Sequence, residues 1–102
     1  MNVVGNKTSS FHIWWNDYQN LDLCNGEISF ISEDDEDMIE IIYEDGMLID
    51  VGKPISSNFY YITVVSSNDE IGWKNPISEI VVTNKQDLVN KIQETIFEFR
   101  QT

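Results

Sequence analysis

Residues 38–51 decide the fold, and they read MIEIIYEDGMLIDV. Asp45-Gly46, in the middle of this stretch, is a strong signal for a two-residue hairpin turn. The apolar and β-branched residues on both sides of the turn are typical of strands. Pairing outward from a two-residue turn places Ile41 opposite Asp50, so that neither face of the hairpin is cleanly polar. Either both faces are covered, or one is a partly apolar surface that awaits a partner.

One further strand and a second hairpin are predicted upstream of this hairpin. Residues 10–15 form a short strand candidate that is rich in aromatic side chains. Asn25-Gly26 predicts a second two-residue turn. Pairing outward from it places Leu23 opposite Ile28, which gives a hairpin with an apolar and a polar face.

Downstream of residue 51 the pattern changes from strand to helix. Residues 58–66 are apolar on both faces and predict a central strand, and residues 77–82 predict another strand after a loop at 73–76. Residues 83–86 fit a helix capping box. Apolar residues then recur at helical spacing, at Leu88, Val89, Ile92, Ile96 and Phe99. Strands followed by a helix predict an α+β fold, with a mainly antiparallel sheet of five to seven short strands and one C-terminal helix packed on a face.

The length and composition indicate one cytoplasmic domain over residues 1–102. The chain has 102 residues, of which 41% are hydrophobic, enough for one packed core. With a single cysteine, Cys24, no internal disulfide can form. The first seven residues lack the apolar region of a secretory signal. No apolar run approaches the roughly 20 residues of a membrane-spanning helix.

The charge is strongly negative and unevenly distributed. Eighteen acidic residues against six basic ones give a formal net charge of −12. Between Thr8 and Gly52 there are twelve acidic residues and no Lys or Arg. The charge could serve solubility alone, or it could form a negative surface that attracts a cationic partner. Direct binding of nucleic acid or of an anionic membrane is disfavoured, because both need clustered Lys and Arg.

The residues that could carry catalysis are few, so we expect neither an enzyme nor a bound cofactor or metal. His12 is the single histidine, and no partner residues for a histidine-based triad are evident. The acidic surroundings of Cys24 would raise the pKa of its thiol, whereas a reactive thiol needs a lowered one. The acidic run at residues 33–37 lacks the central glycine of a calcium-binding EF-hand loop.

Binding features are better represented, since acidic side chains are interspersed with large aromatic ones. An exposed aromatic ring surrounded by Asp and Glu suits a partner rich in Arg and Lys. The predicted partner-binding residues are Glu33, Asp34, Asp35, Glu36, Asp37, Glu40, Glu44, Asp45, Asp17, Asp22, Trp14 and Tyr18. The sequence does not predict the oligomeric state.

Residues 38–99 resemble the immunity proteins of bacterial toxin systems, such as contact-dependent growth inhibition. The resemblance lies in the hairpin around Glu44-Asp45-Gly46, the strand at 59–65, the segment at 73–79 and the closing helix. It implies a tight complex with a cognate toxin domain, often a cationic nuclease, and it assigns a role to no particular residue.

Two other functions stay open at this stage. One is a nucleic-acid mimic that inhibits a DNA-binding defence protein, which would need two rows of carboxylates at phosphate-like spacing. The other is a small enzyme or a metal-binding domain.

Overall fold

The computed structural model describes residues 20–32 and 38–100, and in this part of the chain five strands form one antiparallel sheet. The strands lie side by side in chain order, and they are β1 (Glu27–Ile31), β2 (Ile39–Ile42), β3 (Leu48–Gly52), β4 (Tyr60–Val65) and β5 (Ser78–Val82). A short helix, α1 (Glu70–Lys74), lies between β4 and β5, and a 3-10 turn (Lys85–Asp87) leads into the helix α2 (Leu88–Arg100). The predicted α+β fold is confirmed.

Helix α2 covers one face of the sheet with the predicted apolar stripe. Leu88, Ile92 and Ile96 are fully buried. They form one core with side chains from four strands, namely Ile39, Ile41, Ile49, Val51, Ile62, Val64 and Val82. Burying each such side chain contributes about 1.5–3 kcal/mol. Because the alternate residues of each strand point the other way, the core fixes which side chains lie on the opposite face.

The hairpin of β2 and β3 has a register one residue away from the predicted one, since Glu40 pairs with Asp50. Its loop has three residues instead of two. The Gly46 N–H donates to the Tyr43 carbonyl, and the Tyr43 N–H donates to the Met47 carbonyl, both at 3.0 Å. Gly46 has a φ of 99°, the left-handed conformation that glycine adopts at the end of such a loop. A one-residue shift exchanges the faces, so Glu40 and Asp50 share the face away from α2.

The predicted hairpin at Asn25-Gly26 is wrong, although a tight turn is present there. Its central residues are Cys24 and Asn25, with φ of 53° and 73°, and the Gly26 N–H donates to the Leu23 carbonyl at 3.0 Å. The residues described before this turn form no strand, and β1 pairs with β2 instead. A Cβ on Gly26 would lie 2.5 Å from the Tyr43 ring, so this close approach needs a glycine.

The segments around the helices also differ from prediction. The capping box at residues 83–86 does not form, because Asn84 takes the N-cap position of the 3-10 turn. Helix α1 occupies part of the predicted loop, and its N-terminus is capped by Asp69, whose Oδ1 accepts a hydrogen bond from the Gly72 N–H at 2.8 Å. The predicted strands at 58–66 and 77–82 are present as β4 and β5. The strand candidate at 10–15 lies outside the described residues.

Candidate functional site

The face of the sheet away from α2 carries the acidic side chains of the strands. We call it the acidic face, and define it by the strand residues that alternate with the core: Glu27, Phe30, Glu40, Ile42, Leu48, Asp50, Tyr61, Thr63, Val65, Glu79 and Val81. Leu48 and Val65, at one end of this face, are buried. The residues of β1–β5 include no Lys or Arg. The four carboxylates on these strands therefore give the sheet a net negative charge.

Three of these carboxylates lie in one row across the sheet. Glu40 pairs with Asp50, Asp50 with Thr63, and Thr63 with Glu79, so the row crosses β2, β3, β4 and β5. Neighbouring strands are about 4.8 Å apart, which brings the first two carboxylates close together. Like charges directly opposite each other destabilise a sheet. The row therefore concentrates negative charge on this face of the sheet.

Neighbouring hydroxyl groups orient two of the carboxylates. The Ser29 hydroxyl donates to Glu40 Oε1 at 2.7 Å, and Thr63 Oγ1 lies 3.5 Å from Glu79 Oε2. Ser29 lies in a β-bulge of β1, where the register shifts between Ile28 and Phe30. The bulge places Phe30 opposite Glu40 and therefore on the acidic face.

Apolar side chains border the row on both sides. Phe30 on β1 is 45% exposed, and Val81 on β5 is 49% exposed. Between them, a shallow depression of about 280 Å³ lies over β3–β5, lined by Asp50, Gly52, Pro54, Tyr61, Thr63 and Glu79. Gly52 pairs with Tyr61 across β3 and β4. Carboxylates next to an aromatic ring are suited to a Lys or Arg side chain.

Three of the predicted partner-binding acids lie away from the row. Asp45 is bound within the chain, because Arg100 Nη1 lies 2.9 Å from its Oδ2 and the guanidinium stacks 4.2 Å above the Tyr43 ring. Asp22 accepts the Cys24 N–H at 3.0 Å, and its backbone exchanges two hydrogen bonds with the Gln93 side chain. Glu44 lies beside Asp45 in the hairpin loop. Asp22 and Asp45 hold their loops against α2. That these three acids bind a partner stays a prediction.

The other predicted binding residues lie outside the described residues. They are Asp17, Trp14, Tyr18, Glu33, Asp34, Asp35, Glu36 and Asp37. The residues that flank the acidic run are held together, since the Ser32 N–H donates to the Met38 carbonyl at 2.8 Å. His12 also lies outside the described residues.

The sequence prediction found Glu40 but missed the other members of the site. The two-residue loop placed Asp50 opposite Ile41 and on the wrong face, and Glu79 was not among the predicted binding residues. Glu40 and Asp50 lie at equal distances along the chain before and after Asp45. A three-residue loop that ends at Gly46 therefore pairs them. That alternative loop was the signal that could have revealed the pair.

Two nucleophilic side chains of the described residues, Cys24 and Tyr43, have raised pKa values. Desolvation by the surrounding chain raises the pKa of the Cys24 thiol, and the nearby Asp22 carboxylate raises it further. Burial likewise raises the pKa of Tyr43 to about 12. Among the described residues, no three His, Cys, Asp or Glu side chains are placed to hold a metal ion together. None of the described helices is long and apolar enough to cross a membrane.

The ion pair of Asp45 predicts a pH dependence of stability. Its hydrogen bonds with Arg100 hold the pKa of Asp45 below the ordinary value of 3.8. The unfolded chain therefore binds more protons in this range, so the stabilisation from Asp45 is complete well above pH 3.8 and is lost as the pH falls below it. We expect the Asp45 carboxyl to titrate below 3.8 by carbon NMR.

Arg100→Met tests this assignment, and Glu98→Gln is its matched control. The first should raise the pKa of Asp45 and flatten the acid limb of urea-unfolding stability against pH. The second removes an exposed carboxylate from α2 and should change neither. An Asp45 pKa that is unaltered in Arg100→Met would contradict the assignment.

Comparison of the chain with protein-family models, with curated proteins and with solved structures gave no match. The geometry of the acidic face is therefore the main indication of function.

Proposed function

We propose that this protein is a binding module that holds a basic partner protein against its acidic face, and that the partner is a toxin domain neutralised by the complex. The observation that carries the proposal is the row of Glu40, Asp50 and Glu79, bordered by exposed Phe30 and Val81. An acidic row with apolar borders combines long-range attraction with surface that can be buried on contact. A chain that acts inside the producing cell would be cytoplasmic.

The two parts of the face would act at different stages of binding. The carboxylates raise the rate of encounter with a positive surface, most strongly at low salt, where screening is weak. Phe30, Val81 and the ring of Tyr61 would then slow dissociation by excluding water around the charged contacts. A nuclease is a suitable partner, because proteins that bind nucleic acid present positive surfaces.

Mimicry of nucleic acid has less support. It requires two rows of carboxylates, and the described strands give one row, with Glu27 two residues along from Glu40 in the register. We therefore retain protein binding as the conclusion.

The test is association with the separately expressed product of the neighbouring gene, which we expect to be a basic protein. The triple variant Glu40→Gln, Asp50→Asn, Glu79→Gln keeps the size of the side chains and removes three charges from the row. We expect its association rate at low salt to fall about tenfold, with a weaker salt dependence. Stopped-flow fluorescence measures both quantities.

The matched control removes the same three residue types from the opposite side of the molecule. This second triple variant combines Asp87→Asn, Glu94→Gln and Glu98→Gln, all at exposed positions on α2 or next to it. Its net charge equals that of the first triple variant. Its association rate should fall by much less. Equal slowing in the two variants would show that net charge alone matters, and the acidic face would then have no special role.

A further inference from the structure

Among the described residues, β5 forms an edge of the sheet next to the acidic row. It pairs with β4 along all five of its residues. No other strand of the described chain lies against its outer side. An edge strand presents N–H and C=O groups that can accept another strand.

The two edges of the described sheet differ in how they are protected. Natural sheets block their edges with bulges, prolines, lysines or charges. The β1 edge is interrupted by its bulge at Ser29. In contrast, β5 has an unbroken register from Ser78 to Val82, and contains neither proline nor lysine. Its single charge is Glu79, the second residue of the strand, which is exposed.

The negative charge of Glu79 indicates which kind of strand could pair with this edge. A residue directly opposite Glu79 on an added strand would be a cross-strand neighbour, where a basic side chain stabilises and an acidic one destabilises. Val81 lies two residues along on the same face and is exposed, so it would pack against an aliphatic part of the added strand. A second copy of this chain brings another net charge of −12, which disfavours self-pairing.

We propose that an extended segment of the basic partner adds to the sheet beside β5 and places a Lys or Arg side chain against Glu79. This inference rests on the proposed function and specifies the mode of contact. Main-chain hydrogen bonds to β5 supply affinity, and alternate side chains supply specificity. A suitable segment carries basic residues at every second position, so that they all lie over the acidic face, with β-branched residues between them.

The probe is a capped nine-residue peptide in which lysine alternates with valine, titrated into the ¹⁵N-labelled full chain at low salt. Its control is the same peptide with alternate valine amides N-methylated, which keeps the charge and removes N–H donors along one edge. The unmodified peptide should shift the amide resonances of residues 78–82 and protect some of them from exchange. We expect the methylated peptide to bind about tenfold more weakly, as for the loss of two ordinary hydrogen bonds. Glu79→Gln should weaken binding of the unmodified peptide more than Glu98→Gln does.

Four results would overturn the inference. Equal affinity of the two peptides, with shifts around Glu40 and Asp50, would show binding to the face without strand addition, and the proposed function would stand. If the amides of residues 78–82 were already protected from exchange in the dilute free protein, the edge would be occupied without the peptide. If this protection grew with protein concentration, a second copy of the chain would be paired with the edge. Absence of binding by either peptide would reject the added strand, while the association test with the adjacent gene product would still decide the proposed function.

Discussion

Replacement of Ile92 by alanine is expected to lower the free energy of unfolding by about 3 kcal/mol. Ile92 lies in the middle of α2 and is fully buried among side chains from the sheet. The substitution removes three carbon atoms from a site where the paired strands below limit collapse, so the cost includes both lost burial and a residual cavity. Urea unfolding followed by far-UV circular dichroism measures the change.

The control for this prediction is Ile55→Ala, since Ile55 is 82% exposed. The same chemical change there should alter the free energy of unfolding by less than about 0.5 kcal/mol. If the two variants lost similar stability, or if Ile92→Ala lost less than about 1 kcal/mol, α2 would not be docked on the sheet as described.

The second large effect is expected for Gly72→Ala, which should lower stability by about 2 kcal/mol. In most helices this substitution stabilises by about 0.5–1 kcal/mol, so the prediction reverses the usual sign. A Cβ on Gly72 would overlap the carbonyl oxygen of Ser67. The Ser67 hydroxyl donates to Asp69 Oδ1 at 2.9 Å, and the same oxygen accepts the Gly72 N–H. Moving α1 away from Ser67 would therefore also strain its cap.

Lys74→Ala is the matched control, because Lys74 is exposed in the same helix. It should change stability by less than about 0.5 kcal/mol. For a domain of this size, the loss in Gly72→Ala corresponds to a fall in melting temperature of about 10 °C. An unchanged or higher melting temperature for Gly72→Ala would show that α1 does not pack tightly against the Ser67 backbone.

Much of the fold could be predicted because its signals are local. The apolar stripe of α2 and the β-branched runs of β2, β3 and β4 each lie within a few residues, so the period of the pattern indicates the element. The loops were harder to predict. Asp45-Gly46 is compatible with both a two-residue and a three-residue loop, and the choice between them changes the strand pairing by one residue. Likewise, Asn25-Gly26 marks a turn but does not specify which strand β1 will join.

The candidate site was predicted only in part, because its members are distant in the chain. Glu40 and Glu79 are separated by 39 positions, and they share a row only through the registers of three strand pairs. Asp45 shows the opposite effect. It resembles a free surface acid in the sequence, yet Arg100, 55 residues away, binds it in the folded chain.

The sequence by itself determined the class of elements, their order and the excess of negative charge, because propensity, periodicity and composition are properties of neighbouring residues. Tertiary structure decided which carboxylates lie in one row, which are bound by the chain's own cations and which strands form the edges of the described sheet. These properties depend on strand register and on contacts between distant residues, where a shift of one position moves a side chain from the core to the surface.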